Sequence, residues 1–191
     1  MYNEYDVGCP VKKYLKEYRE ILSRMIKEMS EVELNDSISH NFIIQMIPHH
    51  RAAIEMSENI LRYTKNNELI EIAENIISEQ TKSIENMQEI QSSCGKHINT
   101  CCKVKEYQCK VNQIMKIMFS DMSRAYSDNR INCDFIREMI PHHIGAIRMS
   151  KNALEYDICF ELKPILNAII SSQESGVCQM RNLFKKLKCR H

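Results

Sequence analysis

At 191 residues, 43% hydrophobic and 27% charged, the chain is long enough for one well-buried core and is not a disordered tail. Its 26 basic and 25 acidic residues leave a net charge of +1, so no overall field favours nucleic acid or an anionic membrane surface. No apolar run approaches the ~20 residues that span a bilayer, and Met1 to Asp6 carries no basic leader, so the sequence reads as a cytoplasmic protein with no membrane partner.

Four Gly and four Pro are too few for a fold rich in hairpins, and an all-α protein is expected. In chain order, a first amphipathic helix is predicted over about 11–30, with Tyr14, Tyr18, Ile21, Met25 and Met29 at helical spacing. A second follows over about 38–63, entered through Asn35, Asp36, Ser37 and Ser39, any of which can cap it. After a polar turn at 64–67 a third runs over about 68–91, and the stretch 92–103 is a connector. The series then recurs over about 104–124, 131–156 and 162–187, with Pro164 in a first turn.

The recurrence is an internal repeat. Shifting the chain by 93 residues aligns 42–61 with 135–154, where 13 of 20 positions are identical. The chain is therefore expected to be one duplicated helical domain over 1–191, with halves at 9–97 and 102–190 packed about a pseudo-two-fold axis. Charges mostly differ between the halves: Glu55 is matched by Arg148, Glu58 by Lys151 and Glu85 by Cys178. The histidine pairs His49/His142 and His50/His143 survive, and so do 10 of 12 Met.

At about 100° per residue, Phe42, Met46, His49, His50, Ala53 and Met56 fall on one side of the second helix, which should face the core. Ile77, Gln80, Ile84 and Met87 form a similar stripe on the third. Imidazole nitrogen and thioether sulfur presented to one volume suit a soft ion such as Cu(I), with Ag(I) as its chemical analogue. The candidate metal ligands on this helix are Met46, His49, His50 and Met56, and in the second half Met139, His142, His143 and Met149. Gln80 and Gln173 are expected to hydrogen-bond the histidines or carbonyls freed by proline. Pro48 and Pro141, inside their helices, should kink them or tighten a turn. The competing reading is that methionine and inward histidine simply fill a core.

The string Phe-x-x-x-Met-Ile-Pro-His-His-x-x-Ala-Ile-x-Met-Ser, followed by Gln80 and Met87, resembles the bacterial domain of unknown function 305 family over about 38–91 and 131–184. That resemblance implies a ferritin-like four-helix bundle made of two helix-pair repeats, with the first helix of each half as an addition. Some relatives are periplasmic copper binders, so it also implies metal handling at the ligands named above, with Met87 and Met180 added to the set.

A di-iron oxidase is disfavoured, because no Glu-x-x-His occurs and the helix carboxylates are not repeated. No catalytic residues are expected, since neither a Gly-x-Ser-x-Gly elbow nor a phosphate loop is present. With no export signal, the nine Cys are expected to be mostly reduced. Cys94, His97, Cys101, Cys102, Cys189 and His191 form a second candidate, a thiol site for Zn(II) or Cu(I), though without the usual Cys-x-x-Cys pair. The sequence thus reads as a metal-ion binding or buffering protein, with copper favoured over zinc and no organic cofactor. The alternative is a structural or interaction bundle whose spare thiols cross-link a homo-oligomer.

Overall fold

The computed structural model describes residues 9–125 and 127–190, Cys9 by its backbone alone. Among these are six helices and no strand: α1 Cys9–Ser30, α2 Ile38–Leu61, α3 Asn67–Cys94, α4 Cys101–Ser123, α5 Ile131–Leu154 and α6 Leu162–Lys186. Of the candidate caps for α2, Ser37 takes the role, its side chain accepting from the His40 N–H at 3.2 Å. Asn66 opens α3 in the same way, accepting from the Leu69 N–H at 2.9 Å. The expected tightened turn at the prolines does not form, and α2 and α5 stay α-helical through Pro48 and Pro141. Burial explains why: both helices are locked on several sides by packing that outweighs a missing hydrogen bond.

The helices form a bundle. Antiparallel pairs α2/α3 and α5/α6 pack together through α3 on α6 and α2 on α5, while α1 lies on α2 and α4 on α5. One apolar cluster runs through all six helices, with Tyr14, Phe42, Tyr107 and Phe135 among its largest fully buried side chains. The added helices are fastened alike in both halves. Asn59 donates to the Tyr14 carbonyl at 3.1 Å and Asn152 to that of Tyr107 at 3.5 Å. Edge-on ring contacts Tyr14–Tyr63 and Tyr107–Tyr156 complete the pattern at 5.9 and 5.6 Å. Gly145 lets α4 approach α5 closely, since a Cβ there would overlap the Met118 thioether.

The expectation of mostly reduced cysteines does not hold for four of the nine. Cys94 at the end of α3 is bonded to Cys159 in the α5–α6 turn, with Cα atoms 5.4 Å apart. Cys133 in the first turn of α5 is bonded to Cys189 beyond α6, at 5.7 Å. Sequence separations of 65 and 56 hide both pairings, which only the antiparallel fold brings together. No described helix is long and apolar enough to cross a membrane.

Candidate metal centre

Each histidine pair begins three residues after a mid-helix Met and directly after proline; His49 and His142 project into the contact between α2 and α5, while His50 turns to Ser83 of α3 and His143 to Gly176 of α6. All four rings are at most 2% exposed. His49 and His142 stack across the interface with ring centroids 3.6 Å apart and planes inclined by 29°. His50 and His143 flank them, 5.8 and 6.0 Å from their neighbours in sequence.

Burial keeps these rings neutral. Loss of water, with the other imidazoles adding repulsion, pushes His49 and His143 well below the ordinary histidine range and His50 down to about 3. His142 falls to about 4 for the same first reason, partly offset by the His49 carbonyl, 3.1 Å from its Nε2. His50 Nε2 meets Ser83 Oγ at 3.0 Å, and the backbone of His142 and of Met139 partly offsets the downward shift of His49 and of His143. Five of the eight ring nitrogens, both of His49 and the Nδ1 of the other three, are buried without a hydrogen-bond partner. A neutral imidazole carries one N–H and one lone pair, so each of the four rings can offer one nitrogen to a metal at no cost in proton release.

A cavity of about 220 Å³ between α3 and α6 reaches His50, with Ser83, Gln80 and Gln173 in its wall. The two glutamines do not reach the histidines as expected. Both Gln80 amide atoms and Gln173 Oε1 are buried and unpartnered, in residues that form the wall of this cavity.

Residues 39–184 match the model of a family described as domain of unknown function, DUF305. The chain belongs to the DUF305 family. A solved DUF305 fragment from Deinococcus radiodurans shares its fold, at 17% identity and a TM-score of 0.58 over 78% of this chain and 96% of that one. CopM in its Ag-bound form, obtained by soaking, is 27% identical with a TM-score of 0.59, covering 78% of this chain and 95% of that chain. Apo CopM gives 27% and 0.57 over 78% and 96%. No curated protein matches.

All six methionines of the candidate set lie in the same buried cluster of this DUF305 chain: Met46, Met56 and Met87 from the first half, Met139, Met149 and Met180 from the second. No three of the histidines bring their nitrogens within 4.8 Å of one another, since the single such group of His, Cys, Asp or Glu among the described residues is Cys94, Cys159 and Glu161. A tetra-histidine cage is therefore not preformed. The second candidate is dispersed. Cys94 and Cys189 sit in separate disulfides, Cys101 and Cys102 are exposed on α4, and His97 Nε2 lies 3.2 Å from an Asp157 carboxylate oxygen. His191 lies outside the described residues.

Sequence reasoning missed a buried acid one turn before His142. Glu138 is 3% exposed, accepts from the Tyr14 hydroxyl at 2.5 Å, and is pushed up to about 8, mainly by burial. Its repeat partner is neutral Gln45, and that mismatch at an inward position was the available signal.

Proposed function

We propose that this protein binds or buffers a soft monovalent ion of the Cu(I) or Ag(I) type through its buried imidazoles and thioethers, without catalytic turnover. The observation that carries the reading is the set of five buried, unpartnered nitrogens on four neutral rings. The donor chemistry fits. Neutral imidazole with thioether favours a soft ion, whereas a structural zinc site wants thiolates or a closed tetrahedral set, and the two cysteines of the one dense cluster are bonded to each other. Since three histidine nitrogens do not converge, each ion would be held by one or two imidazoles with sulfur completing the set. His49, His50 and Met46, Met56 or Met87 would serve from the first half, and His142, His143 and Met139, Met149 or Met180 from the second. Gln80 and Gln173 would line the route past His50. Residues 9–97 and 102–190 act in this reading as two halves of one duplicated domain. The 27% identity to CopM, solved with Ag bound, adds support from a relative of the same fold.

The test is a titration with Cu(I) against a chromophoric chelator, using a variant with Cys9, Cys101, Cys102, Cys109 and Cys178 replaced by Ser so that unpaired thiols add no sites. Uptake that competes with the chelator and is lost in His49→Ala/His142→Ala is expected. Equal uptake by the two proteins, or none by either, would overturn the reading.

A further inference from the structure

The balanced net charge conceals a separation. Residues 1–95 hold 10 basic and 16 acidic side chains, a net of −6, whereas 96–191 hold 16 and 9, a net of +7. The excess is concentrated on equivalent surfaces. A groove of about 580 Å³ between α5 and α6 is lined by Arg148, Lys151, Arg181 and Lys185, all exposed. The 93-residue shift carries this face onto α2 and α3, where Glu55 and Glu58 stand for Arg148 and Lys151, and Glu85 and Glu89 for Cys178 and Asn182. The apolar strip is kept, Ile147 and Val177 becoming Ile54 and Ile84, while the charge inverts at the two α5 positions; on the second helix of the pair Arg181 and Lys185 are matched by neutral Gln88 and Ser92, and the acids Glu85 and Glu89 stand beside them.

Little of this charge is used inside the molecule. Glu55 is bonded by Arg24, and Lys151 is 2.7 Å from Glu174. Glu58, Glu85, Glu89, Arg148, Arg181 and Lys185 have no ion-pair partner among the described residues. Clustered like charges repel one another, a cost that an opposite face of matching shape would relieve.

We infer that the acidic α2/α3 face of one copy docks on the basic α5/α6 face of another, so that the protein associates with itself head to tail. The occupant is a second copy because the chain itself carries the complementary face, built on an equivalent helix pair with an equivalent apolar strip. Two different faces meet, so the contact is heterologous and propagates to rings or open chains rather than stopping at a two-fold dimer. The charged side chains of both faces are solvated when free, so the attraction is screened by salt.

The measurement is sedimentation velocity of the protein with Cys9, Cys101, Cys102, Cys109 and Cys178 replaced by Ser, which removes cross-linking through unpaired thiols. Mass above one chain is expected at low salt, with the association constant falling at least about tenfold between roughly 0.05 and 0.5 M NaCl. Arg148→Glu/Arg181→Glu/Lys185→Glu and Glu58→Lys/Glu85→Lys/Glu89→Lys should each sediment as single chains, with helical circular dichroism unchanged. Mixed in equal amounts, the two variants should associate again, because one now has two acidic faces and the other two basic ones. A wild-type mass of one chain at low salt, association of either variant alone, or a mixture that stays monomeric overturns the proposal, and the first of these leaves the basic groove to an acidic partner of another kind.

Discussion

In the first half His50 Nε2 meets the Ser83 hydroxyl at 3.0 Å; in the second, Gly176 stands where that serine would be, and His143 lies directly over it. The entry to the second helix differs as well. Asn41 Oδ1 accepts from the Asn35 N–H at 2.9 Å, and the equivalent Asp134 Oδ1 accepts from the Asp128 N–H at 3.4 Å. Two amides have become two carboxylates, and Arg137, where the first half has Ile44, bridges them at 3.0 Å each. Gln45 has become Glu138. What the halves share, the histidines, the inward methionines and the Tyr–Tyr and Asn–Tyr contacts, is the frame and the donor set. What they do not share is the proton and hydrogen-bond environment around that frame, so equivalent imidazoles are not chemically equivalent.

Acid should have the largest effect, and it acts on what the halves share. The four histidines are held below their unfolded value near 6.5, so as pH drops the unfolded chain takes up protons that the native, metal-free protein refuses. Stability is fully present above about 6.5 and is lost as pH falls below it, the loss ending near 4 for His142 and near 3 for His50, at up to roughly 5 kcal/mol per pH unit while all four groups act together. Urea unfolding of the metal-free protein at pH 7, 6 and 5 measures this. In His50→Gln/His143→Gln the slope should fall to about half, and an unchanged slope would mean that these rings are hydrated and free to charge.

Glu138 works with the opposite sign. Its folded value near 8 exceeds the ordinary carboxyl value of 4.5, so its contribution is complete below 4.5 and is lost as pH rises through about 8. Glu138→Gln restores the residue of the first half and removes that loss. The variant should be more stable than the parent at pH 9, by an amount on the order of 4 kcal/mol, and differ little at pH 5. Equal unfolding midpoints at pH 9 would place the carboxylate in contact with water.

Much of this arrangement was legible before any coordinates. The 3.6-residue period placed six helices, and the inward sector of the second helix held both histidines because burial of one face is what makes such a helix fold. The repeat singled out imidazole and thioether, since these recur while surface charges do not. Local rules failed where tertiary packing decides. Of the kink or tightened turn expected at the prolines, the tightened turn does not form, because a helix clamped by neighbours on several sides stays α-helical through it. Gln80 and Gln173 were given partners because buried amides need them, and instead they edge a cavity. The pairing of Cys94 with Cys159 and of Cys133 with Cys189 depends on how distant helix ends meet, which no spacing encodes.

The smallest expected effect tests the contrast between Ser83 and Gly176 by its sign. Removing the Ser83 hydroxyl costs one hydrogen bond to a neutral ring, so Ser83→Ala should lose about 0.5–1.5 kcal/mol. Gly176→Ala would ordinarily stabilise a helix interior by about 0.5–1 kcal/mol, because glycine gives up more backbone freedom on folding. Here the added Cβ would sit 2.9 Å from His143 Cδ2 and 3.0 Å from Nε2, so the ring or the helix must move. Overpacking of this kind costs about 1–3 kcal/mol and should outweigh the helix gain. Both substitutions are then destabilising, and Gly176→Ala also weakens Cu(I) uptake by displacing one imidazole, whereas Ser83→Ala frees His50 Nε2 and leaves uptake intact or stronger. A stabilised Gly176→Ala would mean that His143 has room to turn away from α6, and that the two halves offer the ion more similar surroundings than their sequences do.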